Sequence, residues 1–245
     1  AGADAIVLDL EDAVAPADKA RAPDNVARAP LAAGTVFVRT NAFDAHGFED
    51  DLRVLGRAEI RGAVLPKTES ADQVAAVLDG VSRPIQVIAL IESALGVWQA
   101  LEIARAPGVA CLAFGSIDFQ LDAGCDGSDE ALLYARSRLV LASRIGGLLA
   151  PIDGVTAAID DAQRLASDTA KARALGFGGK LCIHPKQVAP VNAAFSPTEQ
   201  EIAWARKVVD ACAGSGAGAL AVGGMMIDRP VLLKAQLILA MAGGA

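Results

Sequence analysis

The stretch Ile85-Gln86-Val87-Ile88-Ala89-Leu90-Ile91-Glu92 decides how the chain is read. It is almost wholly apolar, ends in a lone acid, and gives way to helical spacing over Leu95–Arg105. A short apolar run of this kind reads as a strand buried on both faces. The same unit recurs along the chain. Strand runs are expected at Ala5–Leu10, Val36–Thr40, Gly62–Pro66, Ala110–Gly115, Leu149–Ile152 and Gly179–Ile183. Helical patterns at Ala71–Leu78, Glu130–Gly146 and Ala157–Leu175 lie between them. Ser70 and Ser128 stand where N-caps belong, and Gly176 where a helix ends. Strands alternating with helices predict an α/β fold with a parallel sheet. Seven strands are expected, whereas a closed (β/α)8 barrel needs eight. The chain is therefore either an open sheet or a barrel without its first strand and helix.

Beyond the last strand, helices are expected at Pro197–Ala213 and Arg229–Ala242, with the Gly-rich stretch Gly214–Gly224 between them. This divides the chain into a β/α part, residues 1–195, and a C-terminal helical extension or lid, residues 196–245.

With 245 residues and 53% hydrophobic composition the chain can bury a large core, and with only 4% aromatics that core is mostly Ala, Val, Leu and Ile. The net charge of −7 with no basic block excludes a nucleic-acid interface. No window approaches a membrane span or a signal peptide. Cys111, Cys125, Cys182 and Cys212 form no C-x-x-C pair, which predicts a reducing, cytoplasmic setting.

The polar residues fall at the strand ends, where a β/α barrel carries its active site. In order these are Asp9, Glu11 and Asp12; Arg39 and Asn41; Lys67; Glu92; Asp118; Asp153; and His184. Glu92 and Asp118 come from adjacent strands and make a hard oxygen pair of the kind that holds Mg²⁺. The alternative for Glu92 is an acid favoured by the dipole of the following helix. Arg39 offers a planar fork for a carboxylate, or an ion-pair partner for Glu11 or Asp12. Lys67 supplies positive charge for a developing enolate, or closes a salt bridge within the barrel mouth. Glu11 and Asp12 are expected to orient the metal's waters. His184 reads as fixing a loop, and Asp122 and Asp126–Glu130 as solvated charges.

Seven segments then resemble, in order, the motifs of the HpcH/HpaI aldolase/citrate lyase family. They are Leu8–Val14 (LDLEDAV), Val38–Asn41 (VRTN), Leu65–Ser70 (LPKTES), Ile91–Gly96 (IESALG), Phe114–Phe119 (FGSIDF), Gly176–Pro185 (GFGGKLCIHP) and Gly224–Pro230 (GMMIDRP). The likeness is to the citrate lyase β-subunit-like branch. It implies a TIM (β/α)8 barrel with extra C-terminal helices, here lacking the first βα unit. It also implies Mg²⁺ on Glu92 and Asp118, Arg39 as the carboxylate-binding residue with Asn41 beside it, and a homo-oligomer, trimer or hexamer. Asp228 matches an acidic residue on a C-terminal lid, and equally reads as an N-cap for the helix from Arg229.

The expected reaction is Mg²⁺-dependent Claisen-type cleavage of a citryl-, malyl- or citramalyl-CoA into an oxo acid and an acyl-CoA. Asp228, Arg39 and Lys67 would be its catalytic groups. The Gly/Ala-rich segment Gly216–Met225 carries little positive charge for CoA phosphates. That keeps an aldolase on free 4-hydroxy-2-oxo acids in view, beside a malate-synthase-like condensation with thioester hydrolysis and a non-catalytic oxo-acid-binding homologue.

Overall fold

The computed structural model describes residues 2–31, 36–213, 220–222 and 225–243. Seven strands form one parallel sheet in strict chain order: β1 (Ile6–Asp9), β2 (Val36–Arg39), β3 (Ile60–Leu65), β4 (Gln86–Ile91), β5 (Val109–Phe114), β6 (Ile152–Asp153) and β7 (Gly179–Lys180). Each strand pairs with its chain neighbours, and the sheet is curled into an incomplete barrel. All seven expected strands are present. The last two are shorter than their apolar runs suggested. Pro151 has no N–H to offer a ladder just before β6. Beyond Lys180 the chain turns away, and the Ile183 N–H goes instead to the Gln187 side chain at 3.0 Å.

The sheet is flanked by α1 (Ala22–Arg28), α2 (Phe48–Val54), α3 (Ala71–Asp79), α4 (Ala94–Arg105), α5 (Ser116–Ala123), α6 (Asp129–Gly146), α7 (Ala162–Leu175) and α8 (Pro185–Phe195). The start of α7 corrects the expected Ala157. Asp161 accepts the Arg164 N–H at 2.8 Å and so caps the helix five residues later. The unexpected helices α1, α2 and α5 have seven or eight residues, too few for an apolar period to show, and α8 carries Pro190 inside it.

Period-two alternation on the strands sorts their side chains onto two faces. One face holds the buried cluster Phe37, Val64, Ile88, Leu90, Cys111 and Ala113, with Ile152 and Leu181 packed against it. Continuing the same parity past the strand ends leads from Phe37 to Arg39 and from Leu90 to Glu92. The apolar face thus runs directly into the charged residues at the C-terminal rim.

By compactness the chain divides into Ala1–Val191 and Asn192–Ala245. In the second unit α9 (Glu199–Ala213) packs on α10 (Arg229–Gly243), with a two-stranded antiparallel pair, β8 (Leu220–Val222) and β9 (Met225–Ile227). Its core is Ala205, Val208, Ile227 and Ala235. Thr198 and Glu201 exchange hydrogen bonds as a capping box, so α9 starts at Glu199 rather than at Pro197. Of the expected Gly-rich connection, residues 214–219, 223 and 224 lie outside the described residues.

Gly62 is where the sheet tolerates least change. It pairs with Gln86, and a Cβ there would fall on the Gln86 carbonyl oxygen. Gly62→Ala is expected to cost about 2 kcal/mol or more, within the range for overpacked interiors. Urea unfolding should show a lower midpoint with an unchanged slope.

Candidate active site

The charged rim is built from β1 to β5. Asp9 ends β1, and its carboxylate accepts the Arg39 fork through Nε at 2.8 Å and through Nη2. Burial works against the ionised Asp9, but the Arg39 hydrogen bonds and two backbone N–H donors hold its carboxyl below the usual range. Arg39 Nη1 also lies 3.0 Å from Glu11 Oε2 as an ion pair without hydrogen-bond alignment. The opposite Glu11 oxygen, Oε1, accepts from Lys67 Nζ at 2.6 Å. Glu11 is buried, and burial outweighs its two cations and raises its pKa. Both structural alternatives read from the sequence are therefore realised: Arg39 pairs with Glu11, and Lys67 closes a salt bridge at the mouth. Asp12 stays exposed beside them.

Lys67 is the only non-glycine with positive φ among the described residues, at 48°. A left-handed lysine is uncommon and costs energy, and such residues cluster at functional sites. Here the conformation points the Lys67 N–H at Glu92 Oε1, 2.8 Å away, while its ammonium reaches Glu11. One residue thus holds two buried carboxylates from opposite ends.

Glu92 follows β4 directly and is 3% exposed. Its Oε2 lies against Gly115, the residue after β5, where any Cβ would collide with it. Burial raises its pKa to about 7; the Lys67 N–H opposes the shift, and the neighbouring Asp118 carboxylate adds to it. Asp118 sits in the first turn of α5, so it comes from the helix after β5 rather than from the strand end itself. Asp9, Glu11, Glu92 and Asp118 set four carboxylates against the two cations Arg39 and Lys67. A divalent cation on Glu92 and Asp118 would balance that excess, and an all-oxygen pair of carboxylates fits Mg²⁺. The donors present thus suit the metal that their spacing suggested.

Other expected residues are committed elsewhere. Asn41 is buried; its amide oxygen accepts from Lys19 Nζ at 2.6 Å and its NH2 donates to Asp51 at 2.7 Å. It holds the rim rather than offering a free edge to a ligand. Asp153 is fully buried against Arg136, at 3.0 and 3.4 Å, with Lys180 Nζ 3.8 Å away, a structural ion cluster. His184 Nδ1 accepts the Lys186 N–H at 3.1 Å and fixes the start of α8, in the loop-fixing manner expected of it. Asp122 is not merely solvated, because it accepts the Ala94 N–H at 2.7 Å at the start of α4, whose N-cap is Ser93. Asp228, in the second unit, accepts the Val231 N–H at 3.2 Å and caps α10.

Lys19 has no counterpart among the expected residues. Its Nζ donates to the carbonyls of Leu10 and Glu11 at 2.8 and 2.7 Å and to Asn41 at 2.6 Å, spending all three ammonium hydrogens. It ties the end of β1 to the end of β2. It lies in an irregular segment after a 3₁₀ turn at Pro16–Asp18, where neither strand nor helix periodicity marks it. Asp51, on α2, is the second residue that periodicity alone does not reveal.

Residues 1–185 match the family model described as HpcH/HpaI aldolase/citrate lyase. A citrate lyase subunit beta-like protein of Deinococcus radiodurans is 43% identical, over 96% of this chain and 88% of the relative. The crystal structure of CitE from Mycobacterium tuberculosis in complex with magnesium, acetoacetate and coenzyme A aligns with a TM-score of 0.89 at 35% identity, covering 98% of this chain and 90% of that one. The citrate lyase beta subunit from the same organism, complexed with oxaloacetate and magnesium, aligns with a TM-score of 0.72 at 34% identity, covering 80% and 88%. Among the described residues no helix is long and apolar enough to cross a membrane. The seven ordered motifs, the curled parallel sheet and these likenesses agree: the chain belongs to the HpcH/HpaI aldolase/citrate lyase family, among its citrate lyase β-subunit-like oxo-acid lyases.

Proposed function

We propose that the chain cleaves a 2-hydroxyacyl-CoA of the citryl, malyl or citramalyl type into an oxo acid and an acyl-CoA, with Mg²⁺ held by Glu92 and Asp118. The observation that carries this reading is the buried Glu92 carboxylate, its pKa raised to about 7 beside Asp118. A bound Mg²⁺ would supply Lewis-acid polarisation at the oxygens of the oxo-acid end. Solved relatives with magnesium and acetoacetate plus coenzyme A, or with oxaloacetate, support a substrate of this class.

The chain's own groups would divide the remaining work. Arg39, fixed by Asp9 and Glu11, would hold the substrate carboxylate with the donor hydrogens that those acids leave over. Lys67 Nζ, on a side chain 44% exposed, would add positive charge where an acyl enolate develops. A general base would take the substrate hydroxyl's proton as the carbon–carbon bond breaks, and the bond's electron pair would become the enolate. Asp228 would deliver a proton to that enolate carbon, and would remove it in the reverse direction. Glu11 and Asp12 would orient waters around the cation.

Substrate choice is tested by a Mg²⁺-supplemented screen of citryl-, malyl- and citramalyl-CoA against free 4-hydroxy-2-oxo acids. Cleavage of a thioester alone is the expected result, and cleavage of only the free acids would overturn the CoA assignment. Asp228→Asn should lower kcat by roughly 100-fold or more, the usual worth of a positioned acid/base, with little change in substrate binding. An unchanged kcat would remove Asp228 from the chemistry.

The raised pKa of Glu92 gives a stability test that needs no turnover. A native pKa of about 7 against an unfolded value of 4.5 means that the native state binds the proton more tightly. The stabilisation is complete below pH 4.5 and is lost as pH rises through 7, up to ~3 kcal/mol from this group. Glu11 and Asp51 are shifted in the same direction. Metal-free protein should therefore melt lower at pH 8 than at pH 5, and Mg²⁺ should restore the melting temperature at pH 8. Glu92→Gln should flatten much of the pH slope and abolish both the Mg²⁺ response and turnover. A Mg²⁺ response that survives in Glu92→Gln would place the metal elsewhere.

A further inference from the structure

The helix that carries Asp118 has little of its own to hold it in place. α5 has eight residues, of which only Ser116 and Phe119 are buried, and its N-cap, Gly115, makes no side-chain hydrogen bond. A capping side chain is barred there, because a Cβ on Gly115 would meet Glu92. The turn between β5 and α5 is tied to β4 through the backbone, by the Gly115 N–H on the Ile91 carbonyl at 2.9 Å. What fixes its other side comes from β6, β7 and α6.

Both buried residues of α5 lead to one cluster of charged side chains. The Phe119 ring packs on the Phe114 ring with centroids 5.5 Å apart, and the Arg136 guanidinium lies over Phe114, 5.7 Å from its centroid. Asp153 holds Arg136 there, at 3.0 and 3.4 Å. Ser116 lies against Gly154, the residue after Asp153. A Cβ on Gly154 would come within 2.5 Å of Ser116 Oγ and 3.0 Å of the Phe114 carbonyl oxygen. The Gly154 carbonyl in turn accepts from Lys180 Nζ, on a side chain 1% exposed. Stability does not explain this cluster, since well-packed apolar residues often serve as well as a buried ion pair or better. Burial even lowers the pKa of Lys180, against the pull of the Asp153 carboxylate. What the charges supply is direction. A planar fork on Asp153 sets Arg136 over Phe114, and an ammonium on a peptide carbonyl sets Gly154 against Ser116.

We propose that Arg136, Asp153 and Lys180 are positioning residues for Asp118, holding the β5–α5 turn so that Asp118 and Glu92 face one cation. They act through Phe114, Gly154 and Ser116 rather than on the cation itself. The inference rests on the reading that Glu92 and Asp118 hold Mg²⁺, and adds to it what sets the two acids relative to each other.

Calorimetric titration of the metal-free full chain with Mg²⁺ at pH 8 tests this without turnover. Lys180→Met releases Gly154 and should raise the Mg²⁺ dissociation constant by at least ~10-fold, the usual loss when a partner behind a metal ligand is removed. Gly154→Ala presses on the same turn without touching a charge and should weaken Mg²⁺ likewise, so the test does not depend on one variant folding. Ile103→Ala is the control for stability alone. It opens a cavity in the last turn of α4, away from the rim, and should lower the melting temperature while leaving Mg²⁺ affinity unchanged. Glu92→Gln in the same titration tests the metal assignment beneath the inference. Binding lost in Glu92→Gln but unchanged in both Lys180→Met and Gly154→Ala would sink the inference and leave the metal assignment standing. Equal weakening in Ile103→Ala would also sink it, because the cluster would then act only as part of the core. Binding that survives in Glu92→Gln would overturn the metal assignment and this inference with it.

Discussion

Everything at the rim follows from keeping one carboxylate in a place where a carboxylate does not want to be. Glu92 is taken out of water at the end of β4, where its carboxylate accepts a hydrogen bond from the backbone of Lys67. Two features accommodate it, and a third presses against it. Lys67 adopts a left-handed conformation so that its N–H can reach the acid. Gly115 carries no side chain, so the carboxylate can lie against the backbone after β5. Asp118, one turn into α5, is close enough to repel it. A cation held there, as proposed, would relieve the like charge between the two acids.

Around that acid runs a chain of ion pairs, from Asp9 to Arg39 to Glu11 to Lys67. It brings β1, β2 and the turn after β3 into fixed relation before any ligand arrives. Preorganised donors of this kind need not reorganise when charge develops in a transition state. The same pairing limits Arg39, whose fork is already largely taken by Asp9, so what it offers an anionic ligand is the remainder of its donors.

The alternation of apolar runs and helices carries the strand order of the whole sheet, because a strand buried on both faces leaves an unmistakable run of Val, Ile, Leu and Ala. The rim acids were legible for the same reason: Glu92 is conspicuous only because five apolar residues, Val87–Ile91, precede it on β4. Short helices were not legible, since two turns of α1 or α2 give too few residues for a period. Nor was the use made of each polar residue. Asn41 and Asp153 look like Glu92 in sequence, each a polar residue ending an apolar run. What separates them is the partner brought from elsewhere in the chain, Lys19 and Asp51 for one and Arg136 for the other. Lys19 lies outside any periodic segment, and Asp51 and Arg136 are polar residues on the buried faces of their helices, where the hydrophobic pattern names no partner.

Lys19 divides the rim into parts with different responses to acid. Its three acceptors are two peptide carbonyls and a carboxamide oxygen, none of which takes up a proton in the range where proteins are folded. The pairs beside it, Lys67 with Glu11 and Arg39 with Asp9, end on carboxylates that do. The lysine therefore acts as a mechanical rivet between the first two strands, and acidification can discharge the mouth of the sheet without loosening the frame that supports it.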